Sequence, residues 1–223
     1  MRRTLRAVVD LPRFIPIFPL PNVVLFPDVP LPLHIFEPRY RAMVRDAVAG
    51  SRLIGMVLLR DGWEAEYHGA PDVYRVGCAG RIVETTPLPD GKFNIVLAGL
   101  REFEIVTEQR ERAYRQASVM WRAESVDERL PVDLRATLVH VIERYTGRFG
   151  DGDARQVLGD VTLADRTLVN FFAFWLDLPP VEKQCLLEEV AGAPRARRLR
   201  EVLEFRLYAS QAGELEHGSR RMH

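Results

Sequence analysis

The two lysines of the chain could bind phosphate or activate a serine nucleophile. Gly91-Lys92 is followed by Phe93, whereas a phosphate-binding loop needs a Ser or Thr hydroxyl there to bind magnesium. Pro89-Asp90 comes directly before it, and this order favours a hairpin turn. Lys183 lies between polar neighbours in a helical pattern and is expected on a solvated face. The chain has no Gly-x-Ser-x-Gly elbow, so the sequence predicts neither a nucleotide site nor a serine peptidase.

The two cysteines could act as nucleophiles if a histidine lay beside them. Cys78 falls in a β-prone run and Cys185 on an apolar helical stripe, so both are expected to be buried structural thiols. They are far apart in the sequence and form no Cys-x-x-Cys pair. Two free thiols are typical of a reducing compartment, which predicts a cytoplasmic protein.

Metal-binding patterns are also missing. Two carboxylates, Asp151 and Asp153, lie in a glycine-containing loop, but the other ligands of a calcium loop are absent. None of the five histidines is spaced from another histidine or from a cysteine as the ligands of a zinc site are. They are His34, His68, His140, His217 and His223. The sequence therefore predicts no metal and no cofactor.

Length, charge and hydropathy exclude several classes of protein. A chain of 223 residues forms one large or two small domains and can bury a core without disulfides. The formal net charge is zero, which argues against long-range attraction to nucleic acid or to an anionic membrane. The apolar run behind the N-terminal arginines is broken by Asp10, Pro12 and Arg13, so no signal peptide is expected. No segment approaches the ~18 apolar residues of a membrane span.

The stretch Ile15–Ala47 has the most unusual composition in the chain. Six prolines separate its apolar residues, which argues against a helix or a central strand. It is expected to form short edge strands joined by tight turns, with Val23–Phe26 as the clearest β run. The run His34–Tyr40 follows, and its Pro38 suits the first turn of a helix that continues over Arg39–Ala49.

Two compositions follow one another along the chain. Short β-prone runs alternate with turns over 53–59, 77–83, 93–97, 99–106 and 114–121, which is typical of a barrel or sandwich. From residue 131 the apolar period is helical, and it predicts helices over 131–149, near 163–177, over 181–190 and from Pro194. The predicted organisation is a strand-rich subdomain over 14–122, a helical subdomain over 123–212 and a disordered tail over 213–223.

Two expectations concern single helical faces. Trp175 shares a stripe with Leu168, Phe171, Phe172 and Leu176, which predicts a core position. The arginine run of the last helix is expected on the outer face, solvated or paired with glutamates, and comprises Arg195, Arg197, Arg198 and Arg200.

Four segments resemble the substrate-binding domain of the Lon proteases, which also occurs as a stand-alone protein. They are Ile15–Ala47, Val76–Ile82, Asp90–Gly99, and Leu178–Glu188, the last similar to the family's L-x-x-x-x-K-Q-x-L-L-E segment. The resemblance implies an α+β fold with a PUA-like β-barrel over 14–122 followed by a C-terminal helical bundle. It also implies a non-catalytic module, because nothing like the ATPase or peptidase domains of the full protease follows in this chain.

The resemblance implies binding of unfolded or extended polypeptide segments in protein quality control, alone or beside a protease or chaperone. The apolar residues that could line a peptide groove are Phe26, Leu31, Leu33 and Phe36, although each taken singly fits the barrel core better. A structural role is expected for His34, Glu37, Pro38 and Arg39, with Glu37 near the first-turn amides of a helix. Two alternatives stay open: an RNA-binding PUA-like protein, and a peptidase in its own right.

Overall fold

The computed structural model describes residues 11–66, 69, 71–109, 111–123, 129–149, 157–158 and 163–220, and side chains as far as Gln211. The chain divides into two compact units. The first comprises residues 1–25 and 30–122, and the second comprises residues 26–29 and 123–223. The segment Phe26–Val29 therefore packs with the helical part, whereas the predicted boundaries placed it in the strand-rich part.

The first unit holds one sheet of six strands within the described residues. The strands are β1 Phe14–Leu20, β2 Pro30–Ile35, β3 Leu53–Leu58, β4 Val76–Pro87, β5 Phe93–Gln109 and β6 Gln116–Trp121. Their order is β2-β5-β4-β3-β1-β6, and β5 also pairs with β6. Only β1 and β3 run parallel among these pairs. Helix α1, Pro38–Ala49, lies between β2 and β3 in the chain, and a short 3₁₀ helix spans Trp63–Glu66.

Strand β1 has neighbours on both sides although it contains prolines, which corrects the prediction that no central strand forms here. Its first half, Phe14–Pro16, pairs with β6, and its second half, Ile17–Leu20, pairs with β3. The Ile17 N–H donates to the Arg115 carbonyl at 2.9 Å, so Pro16 lies in a pair that exchanges no backbone hydrogen bonds. The missing N–H of Pro16 therefore leaves the ladder intact.

Val23–Phe26 is not a strand, which corrects a second prediction. These residues have no regular secondary structure, and the last three of them are buried. A turn follows in which Asp28 has a φ of 67° and the Val29 N–H donates to the Phe26 carbonyl. The β-prone composition reflects burial here, because β propensity measures packing more than backbone preference.

The core of the first unit surrounds Phe103, which is completely buried. A Cβ on Gly55 would lie 2.7 Å from the Phe103 ring, and a Cβ on Gly77 would lie 2.5 Å from the Met56 carbonyl oxygen. Glycine is therefore required at both positions for the ring and the strands to approach. The neighbouring Cys78 is buried, as predicted.

The hairpin at Asp90-Gly91 is confirmed, and it joins β4 to β5. Gly91 has a φ of 75°, and its N–H donates to the Leu88 carbonyl at 2.9 Å. Strand β5 continues through Gly99, where two separate strands were predicted. The register of β4 and β5 shifts there, so the glycine marks a bulge and not an end.

The second unit contains four longer helices among its described residues: α2 Val132–Phe149, α3 Asp165–Trp175, α4 Pro180–Glu188 and α5 Ala193–Arg220. The predicted helices agree with these apart from their ends. Helix α5 continues to Arg220, so the predicted disordered tail is helical from Gly213 to Arg220. Each added residue of an existing helix gains a hydrogen bond without a new nucleus. No described helix is both long and apolar enough to cross a membrane.

Arg195 is completely buried, which corrects its predicted place on a solvated face. Its guanidinium donates to carbonyl oxygens at the end of α4, at 2.8 Å for Leu186 and 2.9 Å for Glu189. Carbonyls at a helix end have no partner within the helix, so such a donor satisfies them. Arg195 also donates to Asn170 Oδ1 at 2.7 Å, and Asn170 Nδ2 donates to the Pro27 carbonyl at 3.1 Å.

The segment Phe26–Val29 is thereby tied to the helices. The Phe26 ring lies 5.5 Å from the Arg195 guanidinium and is itself completely buried. Asp28 adds an ion pair with Arg166 at 3.4 Å. Contacts with Arg195, Asn170 and Arg166 therefore hold these four residues of the proline-rich stretch in the second unit.

Trp175 lies at the margin of the buried face of α3, which corrects the prediction of a core position. Its side chain is 37% exposed, whereas Phe172 and Leu176 are buried. At 100° per residue the buried arc centres on Val169, Phe172 and Leu176, and Trp175 falls outside it. Its ring stacks on Phe171, a half-buried member of the same predicted stripe, with centroids 5.8 Å apart.

Replacing Trp175 by Ala should therefore destabilise the protein by only about 1–2 kcal/mol, because part of the ring is already in water. Phe172→Ala, on the same helix and fully buried, is expected to cost about 3–5 kcal/mol. Urea unfolding followed by circular dichroism compares the two variants. Equal losses would show that Trp175 belongs to the core after all.

Candidate functional site

The four apolar residues predicted to line a groove differ in exposure. Phe26 is completely buried in the second unit, and Leu31 on β2 is 7% exposed. Leu33 on β2 is half-buried, and Phe36, which follows β2, is 58% exposed. Phe36 is therefore the member of the set that offers most surface to a ligand.

Phe36 and His34 form an exposed pair beside the outer face of β2. Their ring centroids lie 6.1 Å apart, and His34 Nδ1 lies 2.7 Å from Asn94 Oδ1 on β5. A shallow depression of about 340 Å³ continues over this face and includes Pro32 and Val96. Polar side chains line it as well, including Glu84, Thr86 and Asn94, so this face offers both apolar and polar contacts.

The outer edge of β2 is a poor template for another strand. In the described sheet β2 pairs with β5 alone. Pro30 and Pro32 direct their nitrogens to the same side, since successive residues of a strand alternate. Proline is accepted on an edge strand when that side faces solvent, so the edge lacks two donors. A ligand at β2 must therefore be held mainly by side chains.

Glu37 and Pro38 begin helix α1, but not in the predicted way. Pro38 is the first helical residue, as expected, and Glu37 is the N-cap. The Glu37 carboxylate makes no capping hydrogen bond. Its carbonyl accepts the Tyr40 and Arg41 N–H groups at 3.1 and 2.9 Å, while the carboxylate accepts the Arg39 Nε–H at 2.9 Å. The motif therefore orients Arg39 rather than neutralising the helix end.

Arg39 and Tyr40 line two adjoining cavities of the first unit, which together we name the signature groove. The apolar cavity, about 180 Å³, is lined chiefly by Pro19, Leu20, Pro21, Leu59, Trp63 and Pro71. The arginine cavity, about 150 Å³, is lined chiefly by Arg39, Tyr40, Arg112, Tyr114 and Arg115. Pro19, Arg39, Tyr40 and Arg115 line both.

Carboxylates from other elements hold the arginines of this groove. Asp46 on α1 accepts hydrogen bonds from Arg112 Nη1 at 2.5 Å and from the Tyr114 hydroxyl at 2.7 Å. The Tyr114 hydroxyl, more than Arg112, holds the pKa of Asp46 below its usual value, and burial raises the pKa of Tyr114. Arg115 donates two hydrogen bonds to Glu108, each 2.8 Å long. Asp46 is thus ionised and Tyr114 neutral at neutral pH.

A larger cleft, about 510 Å³, lies within the second unit, and we name it the aromatic cleft. Phe149 and Phe205 border it and are 51% and 71% exposed. Arg206 donates two hydrogen bonds of 2.9 Å to Glu182 beside them. Tyr145 also lines the cleft, and burial raises the pKa of its hydroxyl. The sequence does not reveal this cleft, because Tyr145 and Phe149 follow the apolar period of α2 like core residues, whereas Phe205 lies outside the apolar stripe of α5.

The nucleophiles considered from the sequence lie apart from these cavities. Lys183 is half-buried and not solvated as predicted: its ammonium donates to the Phe174 carbonyl, and burial lowers its pKa. Cys185 is exposed, where a buried thiol was predicted, because it occupies the outer face of α4. Across the described ranges no three His, Cys, Asp or Glu side chains converge to hold a metal ion.

Comparison with known proteins gives consistent matches over most of the chain. The family model of the ATP-dependent protease La (LON) substrate-binding domain matches residues 15–204. Lon protease 2 of Myxococcus xanthus is 32% identical over 200 residues, which are 87% of this chain and 24% of that protein. Lon protease of Anaeromyxobacter dehalogenans is 30% identical over 204 residues, 87% of this chain and 23% of that protein. The chain thus spans about a quarter of the length of the curated relatives it matches.

Solved structures agree with the fold. The Lon N-terminal domain protein from Xanthomonas campestris is 26% identical with a TM-score of 0.62, and the match covers 86% of this chain and 97% of that one. The N-terminal domain of Mycobacterium avium complex Lon protease, 18% identical with a TM-score of 0.62, supports the fold alone over 85% and 95% of the two chains. The α+β architecture with a six-stranded sheet is that of Lon N-terminal domains. On these matches, the chain belongs to the Lon substrate-binding domain family.

Proposed function

We propose that this chain is a non-catalytic module that binds unfolded or extended polypeptide segments in protein quality control. The family match over residues 15–204 carries the proposal, because that family is a substrate-binding domain of a protease. The partner would be a protease or chaperone that receives the bound polypeptide. Two free cysteines support action in the reducing cytoplasm.

The finer architecture is part of the same proposal. Strand β6, the last in the strand order, also pairs with β5. The five strands β5, β4, β3, β1 and β6 therefore form a closed series in which each pairs with two others. This closed series supports a PUA-like barrel, with β2 added to β5. Packing of α2, α3 and α4 against α5 supports a helical bundle.

Exposed aromatic and proline side chains support the binding of apolar segments. Phe36 beside β2 and Phe205 in the aromatic cleft are each more than half exposed. Phe205 borders the same cleft as Phe149, and contiguous exposed apolar surface is typical of sites for other proteins. The proline-blocked edge of β2 favours recognition through side chains over strand addition. An unfolded partner loses conformational entropy on binding, so affinity for any one segment should be weak.

The placement of the nucleophiles supports a role without catalysis. The described hydrogen bond and ring contact of the Lys183 ammonium are with Phe174, and Cys78 is buried. The alternative of RNA binding has less support, because the formal net charge of the chain is zero.

The test measures binding of a reduced, unfolded model protein at ~50 mM and ~500 mM salt, beside a single-stranded RNA. Apolar contacts weaken little with salt, whereas phosphate contacts lose orders of magnitude over such a range. Polypeptide binding should therefore change by less than about threefold and exceed RNA binding at both salts. Phe36→Ser should weaken it, and Val132→Ser, which alters an apolar side chain that is 83% exposed in the second unit, serves as the control.

ATP and a casein-type substrate are incubated with the same preparation, and no turnover is expected. Tighter binding of RNA that salt abolishes would favour the nucleic-acid alternative. Peptide cleavage that disappears in Lys183→Ala or Cys185→Ala would favour the peptidase.

A further inference from the structure

Charge and shape of the signature groove define a more specific ligand. We propose that the arginine cavity holds an acidic side chain, Asp or Glu, of the bound polypeptide, while an apolar side chain of the same segment fills the apolar cavity. The inference rests on the proposed function and names a class of segment for one of its surfaces.

The arginine cavity presents cationic groups and no carboxylate among its described lining residues. Arg39, Arg112 and Arg115 line it together with two tyrosines. Two of the three carboxylates that pair with these arginines, Asp46 and Glu108, line neither cavity. The pairs of Arg112 with Asp46 and of Arg115 with Glu108 therefore lie outside the lining of both cavities, and they hold these two guanidinium groups in place for an anion. The third carboxylate, Glu37, pairs with Arg39 and lines the apolar cavity.

Arg112 is the guanidinium best placed to meet that anion. Its side chain is 53% exposed, whereas the side chain of Arg115 is 12% exposed. Its described hydrogen bonds, to Asp46 and to Tyr114, both use Nη1. A guanidinium carries five N–H donors, so its other nitrogens can bind a carboxylate. Both hydrogen bonds also fix the direction of the guanidinium plane.

The adjoining cavity explains why the ligand is a polypeptide segment and not a small anion. Pro19, Arg39 and Tyr40 line both cavities, so their contents are neighbours. Trp63 and three prolines supply the apolar walls of the second cavity. In an extended chain, side chains two residues apart point to one side and lie about 7 Å apart. A segment with the order acidic–any–apolar therefore presents both groups to the groove.

The test uses two fluorescent ten-residue peptides, acetylated and amidated, that differ only by Glu or Gln two positions before a Leu. Fluorescence anisotropy gives both affinities for the full chain. The Glu peptide should bind about fivefold more tightly, since a partly exposed charged pair contributes modestly. Raising the salt from ~50 to ~500 mM should remove most of this preference.

Two variants with opposite expected signs separate binding from stability. Arg112→Gln should abolish the preference for the Glu peptide. Asp46→Asn keeps a side-chain oxygen that can accept the Arg112 hydrogen bond but removes the competing negative charge, so it should widen the preference about twofold. Arg198→Gln, an arginine of similar exposure paired with Glu201 on α5, is the control and should change neither affinity.

Each outcome decides the inference. Equal affinities for the two peptides would overturn the acidic-side-chain proposal and leave polypeptide binding standing. Loss of both affinities in both variants would indicate a structural role for the Asp46–Arg112 pair and would also overturn it. A further Gln peptide with a free C-terminus tests the other carboxylate, and tighter binding of that peptide alone would transfer the site to chain ends. If no peptide binds, this inference is wrong, and the binding of the unfolded model protein then decides the proposed function separately.

Discussion

Arg195→Met should lower the free energy of unfolding by about 3–5 kcal/mol, the largest loss expected from a single arginine of this chain. Methionine fills much of the volume but donates no hydrogen bond. The carbonyl oxygens of Leu186, Leu187 and Glu189 and the side-chain oxygen of Asn170 would then each lose a donor in the interior. Buried acceptors without donors are more costly than the hydrogen bonds themselves.

Urea unfolding followed by circular dichroism measures the loss. Arg198→Met is the matched control on the same helix, because Arg198 is half exposed and its change should stay within about 0.5 kcal/mol. Arg195→Lys separates charge from geometry: one ammonium cannot reach all four acceptors, so most of the loss should remain. Stability close to that of the parent protein for Arg195→Lys would mean that charge alone matters here.

Phe26→Ala should cost about 3–5 kcal/mol, the range for large buried aromatics. Phe36→Ala, ten residues later in the same stretch, should cost less than about 1 kcal/mol, since most of that ring is already in water. Binding should show the opposite order, with Phe36→Ala weakening polypeptide binding and Phe26→Ala leaving it unchanged under conditions where the variant is folded.

Thermal unfolding and anisotropy on both variants check this contrast. A stable Phe26→Ala protein that no longer binds polypeptide would show that Phe26 contacts the ligand, as the sequence predicted. Because the Phe26 ring contacts the Arg195 guanidinium, the combined variant should lose less than the two single losses added together.

The helices were largely predictable, because their apolar residues recur in the sequence with the helical period of 3.6 residues. The ends of α2, α3 and α4 agree with the pattern to within a few residues. Strand β1 was not predictable from local rules. Its prolines fit a central strand only because its two halves pair with different partners, and such pairing depends on residues far along the chain.

The position of Arg195 in the helix predicts its burial, although its charge predicts exposure. It lies four residues before Leu199 and eight before Leu203, both completely buried, so its position belongs to the apolar face of α5. The carbonyls that need it are supplied by α4, and no pattern within α5 shows them. A charged residue on an apolar stripe can thus indicate that the end of another helix lies beside it.

The signature groove was only partly foreseen. His34–Arg39 stood out in the sequence, and Arg39 does line the groove. Its other arginines come from the segment before β6, and Asp46, which orients Arg112, lies 66 residues earlier in the chain. Residue pairs at that separation produce no repeating pattern in the sequence, so the proposed preference for an acidic side chain rests on the structure alone.

Synthesis imposes a delay on the segment Phe26–Val29. Asn170, whose side chain donates to the Pro27 carbonyl, is synthesised 143 residues after it. At ~5–20 residues per second the segment waits about 7–30 s before its amide partner is made. During that time Phe26 and Val29 have no helices of the second unit to pack against. A nascent chain of this protein should therefore need protection at the segment Phe26–Val29, and slow translation should increase its aggregation.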